Sequence, residues 1–193
     1  MKKEKIGFGK SVVLTVVSQV LMIGLAYLLM LWFMRRSIWE LLFPRGSWGE
    51  ICLSGMGLAL AAALVMGGAY RVFHPLRRSV APVLSSIREE FTLSGLLFMG
   101  IVSALGEEML FRGVLQPLVG LFLSSLIFGL LHTGGKSSLW GYGLAAFSIG
   151  LAFAYIYQVT GELLITIIAH GLYNGLIILA LFAGCFDGWS LPE

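Results

Sequence analysis

The chain has 193 residues, 58% of them hydrophobic and only 12% charged, with a mean hydropathy of +0.92. That composition excludes a soluble globular domain. Thirteen Lys and Arg against ten Asp and Glu leave a net charge of +3, but the charges cluster between long apolar runs. This is the positive-inside pattern of a membrane protein, not a nucleic-acid footprint.

Residues 11–34 carry no charged side chain until Arg35, and at about 1.5 Å per residue they can cross a hydrocarbon core of about 30 Å. Lys2, Lys3 and Lys5 before them resemble the start of a signal peptide. The run is too long for one, however, and ends at Trp32, Arg35 and Arg36 without a small-residue cleavage site, so it reads as a retained first span. Residues 51–70 are a second uncharged run, dense in Gly and Ala, a composition that lets helices approach closely in lipid. A basic connector follows with Arg71, Arg77, Arg78 and Arg88, and then residues 91–106, 113–131, 139–161 and 163–186 are each free of formal charge.

The expected fold is therefore all-α: a polytopic transmembrane helical bundle of about six spans, one integral membrane domain over 1–193. Residues 1–90 hold two N-terminal spans and the basic connector, and 91–186 hold the core that carries the chemistry. Counted with the N-terminus inside, nine Lys and Arg (four in the tail, four in the connector, and Lys136) oppose Arg35, Arg36 and Arg45. That bias predicts both termini in the cytoplasm, in a membrane of the bacterial inner type. Cys52 and Cys185 fall near opposite faces, so neither a disulfide nor a metal clip is expected. The sequence has no evident internal repeat, which weakens a transporter reading.

Ionisable groups at membrane depth are expensive, about 2.5–3.5 kcal/mol each on insertion scales, so those that persist are informative. From residue 91 onward they are Glu107, Glu108, Arg112, His132 and His170, with Asn174 as an uncharged companion, and nothing comparable is expected in the first two spans. On a helix, Glu108 and Arg112 are four apart with the acid N-terminal, the favoured orientation for an ion pair. Glu107 points about 100° away and keeps an unpaired carboxylate suited to a general base. Phe128 and His132 share a face one turn apart, as do His170 and Asn174, and Gly171 with Gly175 lets a neighbouring helix come close. His74, in a basic stretch before Pro75, reads as a residue without a chemical role.

A Glu, two His and an Asn drawn from separate segments can converge on one water. Glu107 and His132 would deprotonate it, and His170 and Asn174 would donate hydrogen bonds to the oxyanion formed when it attacks an amide carbonyl. Glu107, His132 and His170 would equally supply a two-His, one-carboxylate site for a divalent metal such as zinc. HExxH, CxxC, GxSxG and P-loop patterns are all absent from the sequence.

In order along the chain, Glu107-Glu108 with Arg112, Phe128 with His132, and His170 with Asn174 follow the pattern EExxxR, FxxxH, HxxxN. The chain resembles the CPBP intramembrane proteases, which include CAAX prenyl endopeptidases and proteins linked to bacteriocin processing and immunity. Phe111-Arg112-Gly113 and Tyr157 with Thr160-Gly161 add to the likeness, which covers roughly residues 91–182. The resemblance implies peptide-bond hydrolysis in or near the membrane. It assigns Glu107 and His132 to water activation, His170 and Asn174 to the oxyanion, and Glu108, Arg112 and Phe128 to support. The family has been called both metalloprotease and glutamate-type, so the cofactor stays open. The implied partners are membrane lipid and a lipidated or membrane-anchored peptide: a prenylated C-terminus, a bacteriocin leader or a C-terminal sorting tail.

Two other classes remain beside it, a non-catalytic membrane scaffold or immunity protein of the same fold, and a proton or solute transporter. Trp140, Tyr142, Phe147, Phe153, Tyr155 and Tyr157 read as packing or interface anchoring more readily than as a lipid-facing entrance. Geometry adds one further expectation. A straight helix from Phe91 to Leu115 leaves Glu107 about 24 Å along it and His132 back near the starting face. A break near the Glu107-Glu108 motif, at Gly106 and Pro117, or a shallow residue 91–104 segment, is therefore expected.

Overall fold

A computed structural model describes residues 5–34, 37 and 39–187 of the chain. Within these residues the secondary structure is helical apart from one isolated bridge between Ile6 and Phe91. The elements are α1 (Phe8–Met34), α2 (Trp39–Leu42), α3 (Trp48–Val72), α4 (His74–Glu90), α5 (Leu93–Val119), α6 (Leu121–His132), α7 (Ser137–Thr160) and α8 (Leu163–Phe182). Among the described residues, α1, α3, α5, α7 and α8 are long and apolar enough to cross a membrane. The protein is a polytopic helical bundle.

Local chemistry sets the ends of these helices. Ser47 and Glu50 form a capping box at the start of α3, satisfying two of the first-turn N–H groups that a helix leaves free. Thr92 Oγ1 accepts from Gly95 N at 3.3 Å to open α5. At the end of α7, Gly161 adopts φ +69° and its N–H bonds to the Tyr157 carbonyl, a left-handed cap that glycine adopts without steric cost.

The expected span over 113–131 is replaced by a different division. Residues 109–119 belong to α5, and α6 has only 12 residues, about 18 Å of helix and too short for a 30 Å core. Connectivity nevertheless makes α6 a return pass. Lys5 Nζ donates to the Arg88 carbonyl at 2.8 Å, Arg88 pairs with Asp187 at 2.7 Å, and Ser79 Oγ donates to the Ser138 carbonyl at 3.1 Å. These contacts gather the starts of α1, α5 and α7 and the end of α8 on one face, the face that holds both described ends of the chain. On the opposite face, Glu162 receives the backbone N–H groups of Arg45 and Gly46 at 2.7 and 2.9 Å. Both α5 and α7 leave the first face, so α6 and the residues after it bring the chain back.

Nor does the chain break at Gly106 or Pro117. The α-helix Leu93–Glu108 widens into a π-helix over Met109–Leu115, directly after the Glu107-Glu108 pair, and ends as α-helix over Gln116–Val119. Pro117 has no N–H to give to Gly113, and it lies just beyond the wide turn. The direction reverses at Gly120, where φ +85° and ψ 164° lie in a region essentially confined to glycine. Glu107 is twelve residues before Val119 and His132 eleven after Leu121, so each lies about 17 Å from the turn. The expected vertical mismatch disappears because the turn comes later than the sequence reading assumed.

Candidate active site

The site is assembled from α5, α6 and α8 around a buried charge. Glu108 is fully buried and Arg112 is 1% exposed. As the spacing predicts, they form an i,i+4 ion pair, with Arg112 Nε 3.2 Å from Glu108 Oε2. The guanidinium also donates to the Gly150 carbonyl of α7 at 3.0 Å and lies over the Phe128 ring, 4.9 Å from its centre. A Cβ on residue 150 would lie 3.1 Å from the Phe128 ring and 3.3 Å from Arg112 Nη2, so glycine leaves both groups room. Neutralised on one side by Arg112, Glu108 turns its other oxygen to α8 and accepts from His170 Nδ1 at 2.8 Å.

That hydrogen bond determines the state of His170. A carboxylate only accepts, so Nδ1 carries the proton, and in the neutral ring Nε2 holds the lone pair. Nε2 faces Glu107 Oε2 at 3.8 Å. The same reasoning applies to His132. Its Nδ1 lies 2.8 Å from the Phe128 carbonyl, so Nδ1–H donates there and Nε2 is left for a reacting group. Phe128 stacks against His132 at 4.3 Å, Phe111 at 4.9 Å and His170 at 6.0 Å between ring centres, which makes it the apolar wedge between the two imidazoles.

Glu107, His132, His170 and Asn174 all line one cavity of about 290 Å³, together with Ser103, Tyr142 and Tyr173. Its far wall is α4, which contributes Val80, Val83, Leu84 and Ile87. Glu107 Oε2 is buried without a hydrogen bond. The four sequence-predicted side chains are thus brought to one chamber. Glu107 is close to His170, and it shares the cavity with His132 without a direct hydrogen bond between them. Asn174 Nδ2 donates to the Gly100 carbonyl at 2.8 Å, which leaves one amide N–H for a ligand.

A three-donor metal centre is not formed by these side chains. Among the described residues no three His, Cys, Asp or Glu side chains are grouped to hold an ion, while the Nδ1 bond of each histidine leaves its Nε2 free. His74 lies against Arg77 at 2.9 Å, outside the cavity, and Cys52 and Cys185 are free thiols.

Three neighbours of the site are not evident from the motifs. Tyr142, at the start of α7, lies with its ring 5.8 Å from His132, and fully buried Phe153 lies 5.6 Å from His170; both fell within the aromatic set read as packing. Gln19 of α1 is 7% exposed and its Oε1 accepts from Gly106 N at 2.8 Å. The first span carries no ionisable side chain, yet it brings this buried amide to the helix that bears Glu107. The signal lay in the i, i+4, i+8 spacing of Ser11, Thr15 and Gln19, all three buried, within an otherwise apolar helix.

Comparison with known proteins bears on this same segment. Residues 89–176 match the family "Type II CAAX prenyl endopeptidase Rce1-like". The chain carries an Rce1-like segment. The resemblance to the CPBP proteases is thereby supported over α5 to α8, the helices that build the cavity. A protein of Bacillus subtilis (strain 168), "Uncharacterized protein YpbD", is 39% identical over 88 residues, 46% of this chain and 43% of that protein. The chain thus spans less than half the length of this relative in the match. No solved structure matches the chain. The Rce1-like segment ends short of α8's last turn and begins at the last residues of α4, so α1 and α3 lie outside it.

Proposed function

We propose that this protein is an intramembrane endopeptidase that hydrolyses a peptide bond of a membrane-associated substrate. The observation that carries the reading is the lone carboxylate of Glu107. It lies in an otherwise largely apolar chamber that two imidazoles also line, inside the segment that matches a protease family.

In this reading Glu108 is the anchor. Held by Arg112 and bonded to His170, it orients that ring and takes no part in proton transfer. Glu107 takes one proton from a water in the chamber as the water oxygen bonds to the substrate carbonyl carbon, His132 Nε2 accepts a hydrogen bond from the other hydrogen, and Glu107 then gives its proton to the amine nitrogen as the C–N bond breaks. The free N–H of Asn174 donates to the oxyanion. His170 Nε2 lies 3.8 Å from Glu107 Oε2, beside the same water. No metal is needed for these steps. Membrane lipid and a lipidated or membrane-anchored peptide are the proposed partners. The basic residues at the face shared by both described ends, Arg71, Arg77, Arg78, Arg88 and Lys136, support a cytoplasmic orientation for that face. Lys2, Lys3, Arg35 and Arg36, also counted for orientation, lie outside the described residues.

The test uses full-length protein in liposomes with two quenched fluorescent probes, a farnesylated peptide ending in Cys-aliphatic-aliphatic-X and a membrane-anchored helical peptide. Glu107→Gln, His132→Ala and His170→Ala should each lower turnover by a factor of about 100 or more. Turnover unchanged in all three variants overturns the proposal. Absence of turnover in the wild type, combined with loss of thermal stability in the variants, favours the scaffold reading instead.

A further inference from the structure

We infer that Gln19 is a positioning residue for Glu107, acting from the first helix through the backbone of Gly106; this rests on the proposed peptidase reading of the site. The juxtaposition is specific. Gln19 Oε1 accepts the Gly106 N–H at 2.8 Å, across 87 residues of sequence, and the bond is buried. Gly106 immediately precedes the Glu107-Glu108 pair, and three residues later the helix becomes π-helical. A helix N–H ordinarily donates to the carbonyl four residues back. Here an outside acceptor engages that N–H at the last turn of α-geometry, where the direction of the two carboxylates is set.

The contact requires both partners as they are. A Cβ at residue 106 would overlap Gln19 Oε1 and approach Met22 Cβ to 3.2 Å, so glycine is what lets α1 come close enough for the amide to reach. Gln19 Nε2 is buried without a partner, an unfavourable burial of a polar group. The position therefore carries a polar side chain at some energetic disadvantage, in a helix whose other faces are apolar and lipid-exposed. Thr15, one turn earlier on the same face, donates only to the Ser11 carbonyl of its own helix at 2.8 Å and makes no comparable tie. A tie of this kind fixes the rotation of α5 about its axis, and hence whether Glu107 or an apolar neighbour faces the chamber. Misplacement of a reacting group by about 1 Å lowers rates by about 100-fold.

The experiment compares full-length Gln19→Met, Gln19→Glu and Thr15→Val in liposomes, with the farnesylated probe and with backbone hydrogen exchange. Gln19→Met keeps the volume and removes the acceptor; Gln19→Glu retains a carboxyl oxygen. The expected result for Gln19→Met is a kcat lowered by a factor of about 10–100 with KM within about twofold. Exchange at Gly106–Leu110 should rise about tenfold or more while the rest of α5 is unchanged. Gln19→Glu should recover most of the kcat, and Thr15→Val should leave kcat and exchange near wild type.

The inference is overturned if Gln19→Met leaves both kcat and the local exchange unaltered, or if Thr15→Val lowers kcat as much, which would make the effect one of general helix packing. If neither the wild type nor any variant cleaves, the peptidase reading fails, and the exchange comparison still decides whether Gln19 holds this turn. If Glu107→Gln abolishes cleavage while Gln19→Met does not reduce it, only the inference about Gln19 fails.

Discussion

His170 donates its Nδ1–H to Glu108 Oε1 at 2.8 Å across 62 residues of sequence, and Glu108 is simultaneously paired with Arg112 at 3.2 Å. Two acids adjacent in sequence are thereby given different work. One is enclosed in a charge-neutral cluster that ties α5 to α7 and α8, and the other is left facing the cavity.

The division predicts opposite phenotypes. Glu108→Ala removes the anion from between a buried guanidinium and an imidazole, and stranding a buried charge costs about 3–5 kcal/mol. Its unfolding midpoint in detergent should fall by several degrees or more. Glu107→Gln, at a side chain 20% exposed to the cavity, should leave the midpoint within a degree or two and abolish turnover. A Glu107→Gln protein as unstable as Glu108→Ala would contradict the assignment.

Gly120 is the hinge on which the level of His132 depends. Because φ +85° with ψ 164° is a region that residues with a side chain adopt only at about 1–3 kcal/mol, Gly120→Ala should be destabilised by that amount. It should also lose activity beyond what the fraction folded explains, because His132 is displaced relative to Glu107. Equal activity per folded molecule would show that α6 finds its place without this turn.

The contact between α6 and α7 rests on facing glycines. A Cβ on Gly129 would lie 2.7 Å from the Gly143 carbonyl, and one on Gly143 would lie 2.8 Å from the Gly129 carbonyl. Backbone cannot yield as a side-chain tip can. Gly129→Ala should therefore cost about 1–3 kcal/mol by pushing apart the helices that carry His132 and Tyr142. Thermal unfolding read beside that of Gly57→Ala, whose glycine has open space around it, provides the check, and similar losses in both would refute the packing argument.

Far from the cavity, the Glu162 carboxylate, 8% exposed, accepts from Arg45 N and Gly46 N and so anchors the loop between α2 and α3. Glu162→Ala leaves two backbone donors without their acceptor and should destabilise by about 1–3 kcal/mol. Below its unfolding transition it should retain wild-type kcat and KM. A selective loss of kcat in this variant would mean that the outer loop communicates with the site.

The sequence by itself determined that the protein is a helical membrane bundle and which residues are candidates for its chemistry. Both follow from the same physical fact: in an apolar chain each ionisable side chain is locally expensive, so Glu107, Glu108, Arg112, His132 and His170 stand out without any knowledge of the fold. Pairings within one turn were legible too, Glu108 with Arg112 and Phe128 with His132, because helical spacing alone sets them. The tertiary structure decided everything that depends on where the chain turns. The reversal at Gly120, the shortness of α6, the bond from His170 to Glu108, and the approach of Gln19 to Gly106 were all settled by the fold. Such contacts are settled by backbone dihedrals and by the fit of glycine against its neighbours; the i, i+4, i+8 polar face of α1 marks Gln19 but not the segment it meets.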